Sequence, residues 1–371
     1  MYQTSVWPVT WLMVSVLQGG TLIFLYTIAT IYTGEAVWRE RDVRLDQIHD
    51  SLPIPTWLNV ATQFAAIAAV QVILLLVIMI CGIVLQAWTG YYNFELPVYF
   101  KELFLIVLPG LLSFNLFCLF LHTFLSNKFL AHAVVVGIFV LTPILYRYGL
   151  ESRLLLIGDS VPYTYSDMNG YGHFVPGLAS SLIYWLAFGM MCGVVALAFS
   201  RRGVDLAWRS RAKTARARTR TLVPAGTAAL LLFAGTGAWF YYNAYVLNEF
   251  ETSEGGRRRQ AEYERLFKKY ELTAQPKIVG VEANVDIFPE RRSLSAQGRY
   301  MLVNRSSEPI SEIHITADRE TLKEIRFDRK SRLQLHDKRL GYQIYRLAEP
   351  LEPGAAMRLD FRAGYESRGF K

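Results

Sequence analysis

Cysteine is scarce in this 371-residue chain, and the three present, Cys81, Cys118 and Cys192, all fall inside apolar runs. A thiol in such surroundings behaves as a small buried hydrophobe, and the spacing supports neither a disulfide framework nor a metal site. The six histidines include no His-Glu-x-x-His, the pattern that sets two imidazoles one helical turn apart on a single zinc. No Gly-x-x-x-x-Gly-Lys phosphate loop occurs, which excludes ATP hydrolysis by that mechanism. The first apolar run lacks a basic leader and a small-residue cleavage site, so it does not read as a removable signal peptide. Acidic residues are nearly missing from one stretch, residues 201–220, which holds seven Arg and one Lys against the single acid Asp205.

What is abundant is apolar surface: 52% of residues are hydrophobic and 14% aromatic, too much for one soluble domain. Six segments, 9–32, 58–86, 103–124, 129–148, 176–200 and 222–245, match the roughly 20 helical residues that cross a hydrocarbon core about 30 Å thick. A lipid bilayer is therefore the first partner. The basic stretch then sets orientation, because short loops rich in Lys and Arg stay cytoplasmic. Arg201, Arg202, Arg209, Arg211, Lys213, Arg216, Arg218 and Arg220 are the topology-determining residues on this reading. Alternation places 34–57 and 126–128 inside, and 87–102, 149–175 and everything after 245 outside. Trp7, Trp11, Trp57, Trp88, Tyr91, Tyr92, Tyr146, Tyr148, Tyr241 and Tyr242 fall at span ends, where amphipathic rings favour the headgroup layer. Trp208 is the one aromatic in the basic stretch, so a nucleic-acid surface, which needs stacking or base-reading groups, is not expected. The net charge of +8 reflects membrane topology rather than an acidic ligand.

Pro109-Gly110 and Pro143 interrupt the third and fourth spans, where a missing backbone donor favours a kink. His122 and His132 lie near the inner ends of those spans and read as interfacial polar anchors. After residue 245 the composition turns charged, and Tyr263, Leu266, Phe267 and Tyr270 recur at helical spacing, predicting an amphipathic stalk over 246–276. From 277 the period becomes two. Val281, Ala283, Val285 and Ile287 open a series of short alternating runs, continued by Tyr300 and Leu302, Ile313 and Ile315, Ile325 and Phe327, Leu333 and Leu335, Tyr342 and Ile344, and Met357, Leu359 and Phe361. Turn residues separate them, so 277–371 reads as an antiparallel sandwich with one buried face. The pattern stops at Gly369-Phe370-Lys371 without a closing turn, which suggests a domain cut short. The expected fold class is thus a six-helix membrane domain, 1–245, followed by an all-β domain.

A second informative segment is residues 34–57, GEAVWRERDVRLDQIHDSLPIPTW. Glu35 and Arg39, and Glu40 and Arg44, are acid-first pairs at four-residue spacing, while Val37, Arg41, Leu45, Ile48 and Leu52 share one stripe. Together they predict a short amphipathic helix, stopped by Pro53 and Pro55. One reading lays it in the membrane interface. The other docks it on a cytoplasmic protein, and its balanced charge suits specific docking better than attraction to anionic lipid.

The stretch GEAVWRERDVRLDQIHDSLPIP resembles the cytoplasmic loop of bacterial type-2 ABC exporter permeases that are fused to a gluzincin-type zinc aminopeptidase. AEYERLFKKYELTAQPKIVGVEANVDIFPERRSLSAQGRYMLVNRSSEPISEIHI, with LEPGAAMRLDF, resembles the start of the fused peptidase's N-terminal β-domain. The resemblance implies that Glu35, Trp38, Arg39, Glu40, Arg41, Arg44, Leu45 and Ile48 belong to a helix that docks a separate ABC ATPase. It also implies that 149–175 is an outer re-entrant region, and that the permease pairs with a second unit or with itself in the bacterial inner membrane. Against the family pattern, one span is missing at the N-terminus and the zinc domain at the other end. Without His-Glu-x-x-His, a Gly-x-Met-Glu-Asn loop or a phosphate loop, no catalytic, cofactor or metal residue is assigned here. Zinc is expected only in a downstream peptidase domain. The rival reading is a non-transporting anchor whose sandwich binds a ligand outside; a peptidase built on Asp159, Ser160 and His173 has no connected nucleophile and base.

Overall fold

The computed structural model describes residues 7–158, 160–200, 208–248, 250–317 and 321–370, and the chain divides into two compact units, Met1–Asn243 and Ala244–Gly369. Among the described residues of the first unit six helical elements are long and apolar enough to cross a membrane. α1 is Thr10–Asp42, the short α2 is Asp46–Ser51, and α3 is Thr56–Trp88. The third span is composite: α4 (Leu96–Phe100) runs through π-helical Lys101–Val107 into α5 (Leu108–Phe124). α6 (Lys128–Arg147), α7 (Val175–Phe199) and α8 (Trp208–Tyr241) complete the set.

Several boundaries differ from the sequence expectation for physical reasons. α1 does not end near Tyr32 but continues ten residues further, and at about 1.5 Å per residue its 33 residues reach roughly 50 Å, longer than the hydrocarbon is thick. The extra turns carry Glu35, Arg39, Glu40, Arg41 and Asp42. The third span begins at Leu96 rather than 103, because Glu102 is buried inside the bundle and fully supplied with donors. Gln18 Nε2 (3.0 Å) and the Tyr163 hydroxyl (2.7 Å) donate to one carboxylate oxygen, and the Tyr171 hydroxyl (2.9 Å) to the other. Burial, and then the Glu102 charge beside them, raises the pKa of both phenols well above the tyrosine range, so they stay donors. From Trp208 onward the basic stretch is helical and forms the first part of α8. Arg201, Arg202 and Asp205 lie outside the described residues.

α5 is the central helix, in contact with α1, α3 and α7, and buries Leu111, Phe114, Phe117, Cys118, Leu119 and Leu121. Gly189 of α7 packs so closely that a Cβ there would fall 2.8 Å from the Cα of Ser113, whose hydroxyl donates to Trp185 O at 2.5 Å. Small residues at such a crossing let two backbones approach without a hydrophobic driving force. Gln71 of α3 and Asn115 of α5 exchange two amide hydrogen bonds, 3.1 and 2.7 Å, both fully buried. Cys118 and Cys192 are buried, whereas Cys81 is exposed on α3.

The described residues of the second unit form seven antiparallel strands in two sheets. β1 (Lys277–Phe288), β2 (Ser293–Val303), β7 (Ala356–Glu366) and β4 (Leu322–Phe327) form one in the order β1-β2-β7-β4; β3 (Ile310–Thr316), β6 (Tyr342–Leu351) and β5 (Ser331–Asp337) form the other in the order β3-β6-β5. Leu302, Ile310, Ile313, Leu347, Leu351, Met357 and Leu359 make the core between them. β1 departs from the expected buried face: it is the edge strand, a bulge after Ile278 shifts its register, and Val281 and Ile287 are 60% and 70% exposed. The predicted stalk is a helix, α9 (Ser253–Phe267), capped by Thr252, whose hydroxyl accepts from Gly255 N. It is not free, since Phe267 stacks on Tyr342 at 4.0 Å, Tyr263 meets the same ring edge-on, and Glu262 pairs with Arg339.

Two tests follow from this packing. Truncation of a buried ring costs about 3–5 kcal/mol, so Phe267→Ala should destabilise the β-domain by about that amount in urea unfolding followed by tyrosine near-ultraviolet dichroism, whereas a stalk independent of the sheets predicts no change. His314, its Nδ1 2.7 Å from the Tyr342 hydroxyl, has a pKa lowered by burial, partly opposed by Glu312. The unfolded chain then binds the proton first. The stabilisation is present above the unfolded value of about 6.5 and is lost as pH falls through the lower folded value. The same unfolding measurement should therefore show stability falling as pH drops below about 7, and falling less in His314→Gln.

Candidate functional site

The predicted functional residues converge at one end of the helical unit, where α1, α2 and the starts of α3 and α8 meet the ends of α5 and α7. α1 stops in a Schellman arrangement. Leu45 N donates to Glu40 O (2.8 Å), Arg44 N to Arg41 O (3.0 Å), and Arg44 takes the left-handed conformation, φ 58°. Arginine there is costly by roughly 1–2 kcal/mol relative to glycine, and sequence reading gives no warning of it. The single amphipathic helix expected over 34–52 is therefore corrected to two pieces joined by an elbow: Glu35, Trp38, Arg39, Glu40 and Arg41 belong to the long helix, Ile48 to α2, and Arg44 and Leu45 to the bend. The helical spacing of Glu40 to Arg44 is lost with it.

Inward-facing groups of this elbow are tied to the bundle. The Trp38 indole donates to His122 Nδ1 (3.2 Å), and the His132 ring lies 4.6 Å from that of His122. Gly34 fills the remaining space, for a Cβ there would collide with His132 and come within 3.2 Å of His122. His122 is fully buried and its Nε2 has no partner among the described residues. Since Nδ1 accepts, the proton sits on Nε2. Among the described residues no group of three His, Cys, Asp or Glu could hold a metal. Lys128 at the start of α6 lies between Glu35 (2.8 Å) and Asp42 (3.1 Å) of α1, and Gln63 of α3 donates to Ala36 O (3.1 Å). Arg41 stands over the Trp38 ring at 5.8 Å and lines a shallow pocket with Glu40, Asp46 and Asp50. Lys128 and His122 were not legible as partners of this loop, because neither shares its periodicity.

The outward face is different. Arg39, Arg44, Leu45, Ile48, Leu52 and Trp57 are exposed, with Ile48 at 65%. An apolar set rimmed by charges of both signs at the polar end of a membrane bundle is suited to a partner surface.

The basic residues of α8 divide by helical face. Arg211 is buried: Nη2 donates to Thr123 O (2.6 Å), and Nη1 to Phe124 O (3.0 Å) and the Ser126 hydroxyl (3.2 Å). Arg218 does the same for α7, with Nη1 on Ser200 O (2.6 Å) and Leu197 O (3.3 Å), and Nη2 on Thr56 Oγ1 (3.3 Å). Both guanidinium groups supply donors to carbonyls that helix ends leave open, at the negative end of the macrodipole. Arg209, Lys213, Arg216 and Arg220, spaced four, three and four apart, are exposed as a cationic stripe. A reading based on charge count alone treats all of these residues alike; the structure gives them two roles.

Removing the buried guanidinium should leave those carbonyls without a charged donor, at about 1.5–3 kcal/mol per charge-assisted bond before relaxation. Arg211→Met should thus lower the thermal unfolding midpoint of the detergent-solubilised protein markedly, and Arg216→Met should leave it unchanged. Equal effects from the two variants would contradict the capping role.

No family model, curated protein or solved structure matches this chain.

Proposed function

We propose that this chain is the membrane unit of a type-2 ABC-type exporter, driven by a separate ATPase that docks on the elbow after α1. The observation that carries the reading is the elbow's two-sidedness. Its inner groups are pinned by Trp38, Lys128 and Gln63, while Leu45, Ile48 and Leu52 are exposed. A fixed helical turn with an apolar patch and mixed charge can transmit a push from a soluble subunit to the bundle, because α1 is continuous from that turn through the membrane. The resemblance of residues 34–55 to permease coupling loops supports the same assignment.

The cationic stripe of α8 orients the chain. By the positive-inside rule that end faces the cytoplasm, and alternation over six spans sends the residues after 248 to the outer side of a bacterial inner membrane. There the seven-stranded domain has the place of an aminopeptidase N-terminal β-domain, with zinc chemistry belonging to a downstream domain of the same architecture. The permease reading also implies pairing with a second permease unit or another copy. A second reading, an anchored binding protein, is favoured by one feature: an open apolar pocket of about 430 Å³ in the β-domain, lined by Ile278, Tyr300, Leu302, Ile313 and Phe361.

Ile48→Glu places a charge where docking would desolvate it, a penalty of several kcal/mol, which weakens association by roughly a hundredfold or more. The variant should insert and unfold as the parent does, yet lose the ATPase activity that co-purifies from native membranes. Equal ATPase recovery from parent and variant would remove the elbow from the mechanism and leave the binding-protein reading. For orientation, Ser331→Cys should react with an impermeant thiol reagent in intact cells and Ser210→Cys should not; the opposite result would invert the topology.

A further inference from the structure

α6 is one of the sparsely embedded spans. Ala131 and Val135 are its buried residues, while Val136, Val140, Ile144 and Tyr146 are exposed. A groove of about 500 Å³ is lined by residues of α1, α5 and the later half of α6, together with Leu156, Ile157 and Gly158. Three aromatic rings form part of its wall in an edge-to-face set: Tyr26 to Phe114 at 4.9 Å, Tyr26 to Phe139 at 5.6 Å and Phe114 to Phe139 at 5.4 Å. Gly110 lies on the same wall, and a Cβ there would be 3.8 Å from the Tyr26 hydroxyl, in ordinary contact. That hydroxyl has no hydrogen-bond partner among the described residues, although a phenol in apolar surroundings normally has one.

We infer that this groove is a binding site for one acyl chain of a membrane lipid. Its α6 wall, Ile138, Phe139, Thr142, Pro143 and Tyr146, belongs to a membrane-length helix whose neighbouring Val136, Val140 and Ile144 are exposed, so the medium beside it is hydrocarbon rather than water. Size decides between occupants. A helix about 10 Å across would fill 500 Å³ with little more than one 5.4 Å turn, too little to seat a protein segment. The same volume holds roughly seventeen groups of water size, at about 30 Å³ each, which is the scale of a single extended chain. The Tyr26 hydroxyl then supplies a donor for a lipid oxygen. The site stands on the groove's geometry and does not require the exporter reading.

The test is photolabelling of the full chain in nanodiscs of phosphatidylethanolamine and phosphatidylglycerol, with a phospholipid bearing a diazirine on one acyl chain. Adducts mapped by mass spectrometry should be enriched roughly tenfold, about 1.4 kcal/mol in site preference, on Tyr26, Phe114 and Phe139 over Ile73, Leu76 and Val77 of α3, which are exposed apolar residues serving as the annular reference. Gly110→Phe should fill the groove and abolish the enrichment while the α3 adducts persist. Equal labelling of groove and α3 in the parent protein would overturn the site, whatever the variant does. A benzophenone residue in place of Phe139 gives the other decisive result: crosslinks to lipid uphold the proposal, and crosslinks between two chains would assign the groove to a second copy.

Discussion

A carbonyl oxygen at the end of a membrane helix has lost its intrahelical donor and, near hydrocarbon, has little water to replace it. Much of the helical unit is arranged around meeting that demand. Arg211 and Arg218 reach from one face of α8 to the last carbonyls of α5 and α7, so two helices that are distant in sequence end against the same third helix. The elbow is held by the same economy of polar groups: an indole to an imidazole, an amide to a carbonyl, and one ammonium shared by two carboxylates. Deeper in the bundle, the Gln71–Asn115 pair and the three donors on Glu102 follow the rule that a buried polar group is retained when its partners are complete.

This distribution explains how much could be read from the residues alone. Spans and strands are properties of local pattern, since a run of about 20 apolar residues or a period of two survives whatever else the chain does. Each of the seven alternating runs beyond Lys277 is a strand, and each of the six apolar runs is a helix. Charge placement is not local. Glu102 looked like a loop residue because its donors, Gln18, Tyr163 and Tyr171, are up to 84 residues away. Arg44 looked like the partner of Glu40, yet its left-handed backbone ends the helix that would bring them together. The basic stretch was legible as a topology signal, while its split into capping and exposed faces appears only once α8 is known to begin at Trp208.

β1 makes the complementary point. Its alternation is as clean as that of any strand, but an alternating sequence states that one face is apolar, not that another layer covers it. The elbow carries a similar ambiguity, with Val37 buried and Leu45, Ile48 and Leu52 of the same stripe exposed. In both places the pattern identifies a surface and only three-dimensional packing tells which part is already used.

The reach of Arg211 also has a temporal side. It is made 87 residues after Phe124, whose carbonyl it caps, and at about 5–20 residues per second of synthesis the gap lasts roughly 4 to 17 seconds. For that interval the terminal carbonyls of α5 lack their charged donor, and those of α7 wait likewise for Arg218. Closure of this end of the bundle is therefore a late event in biogenesis. A chain that ends before Arg211 leaves the last carbonyls of α5 and α7 without their charged donors.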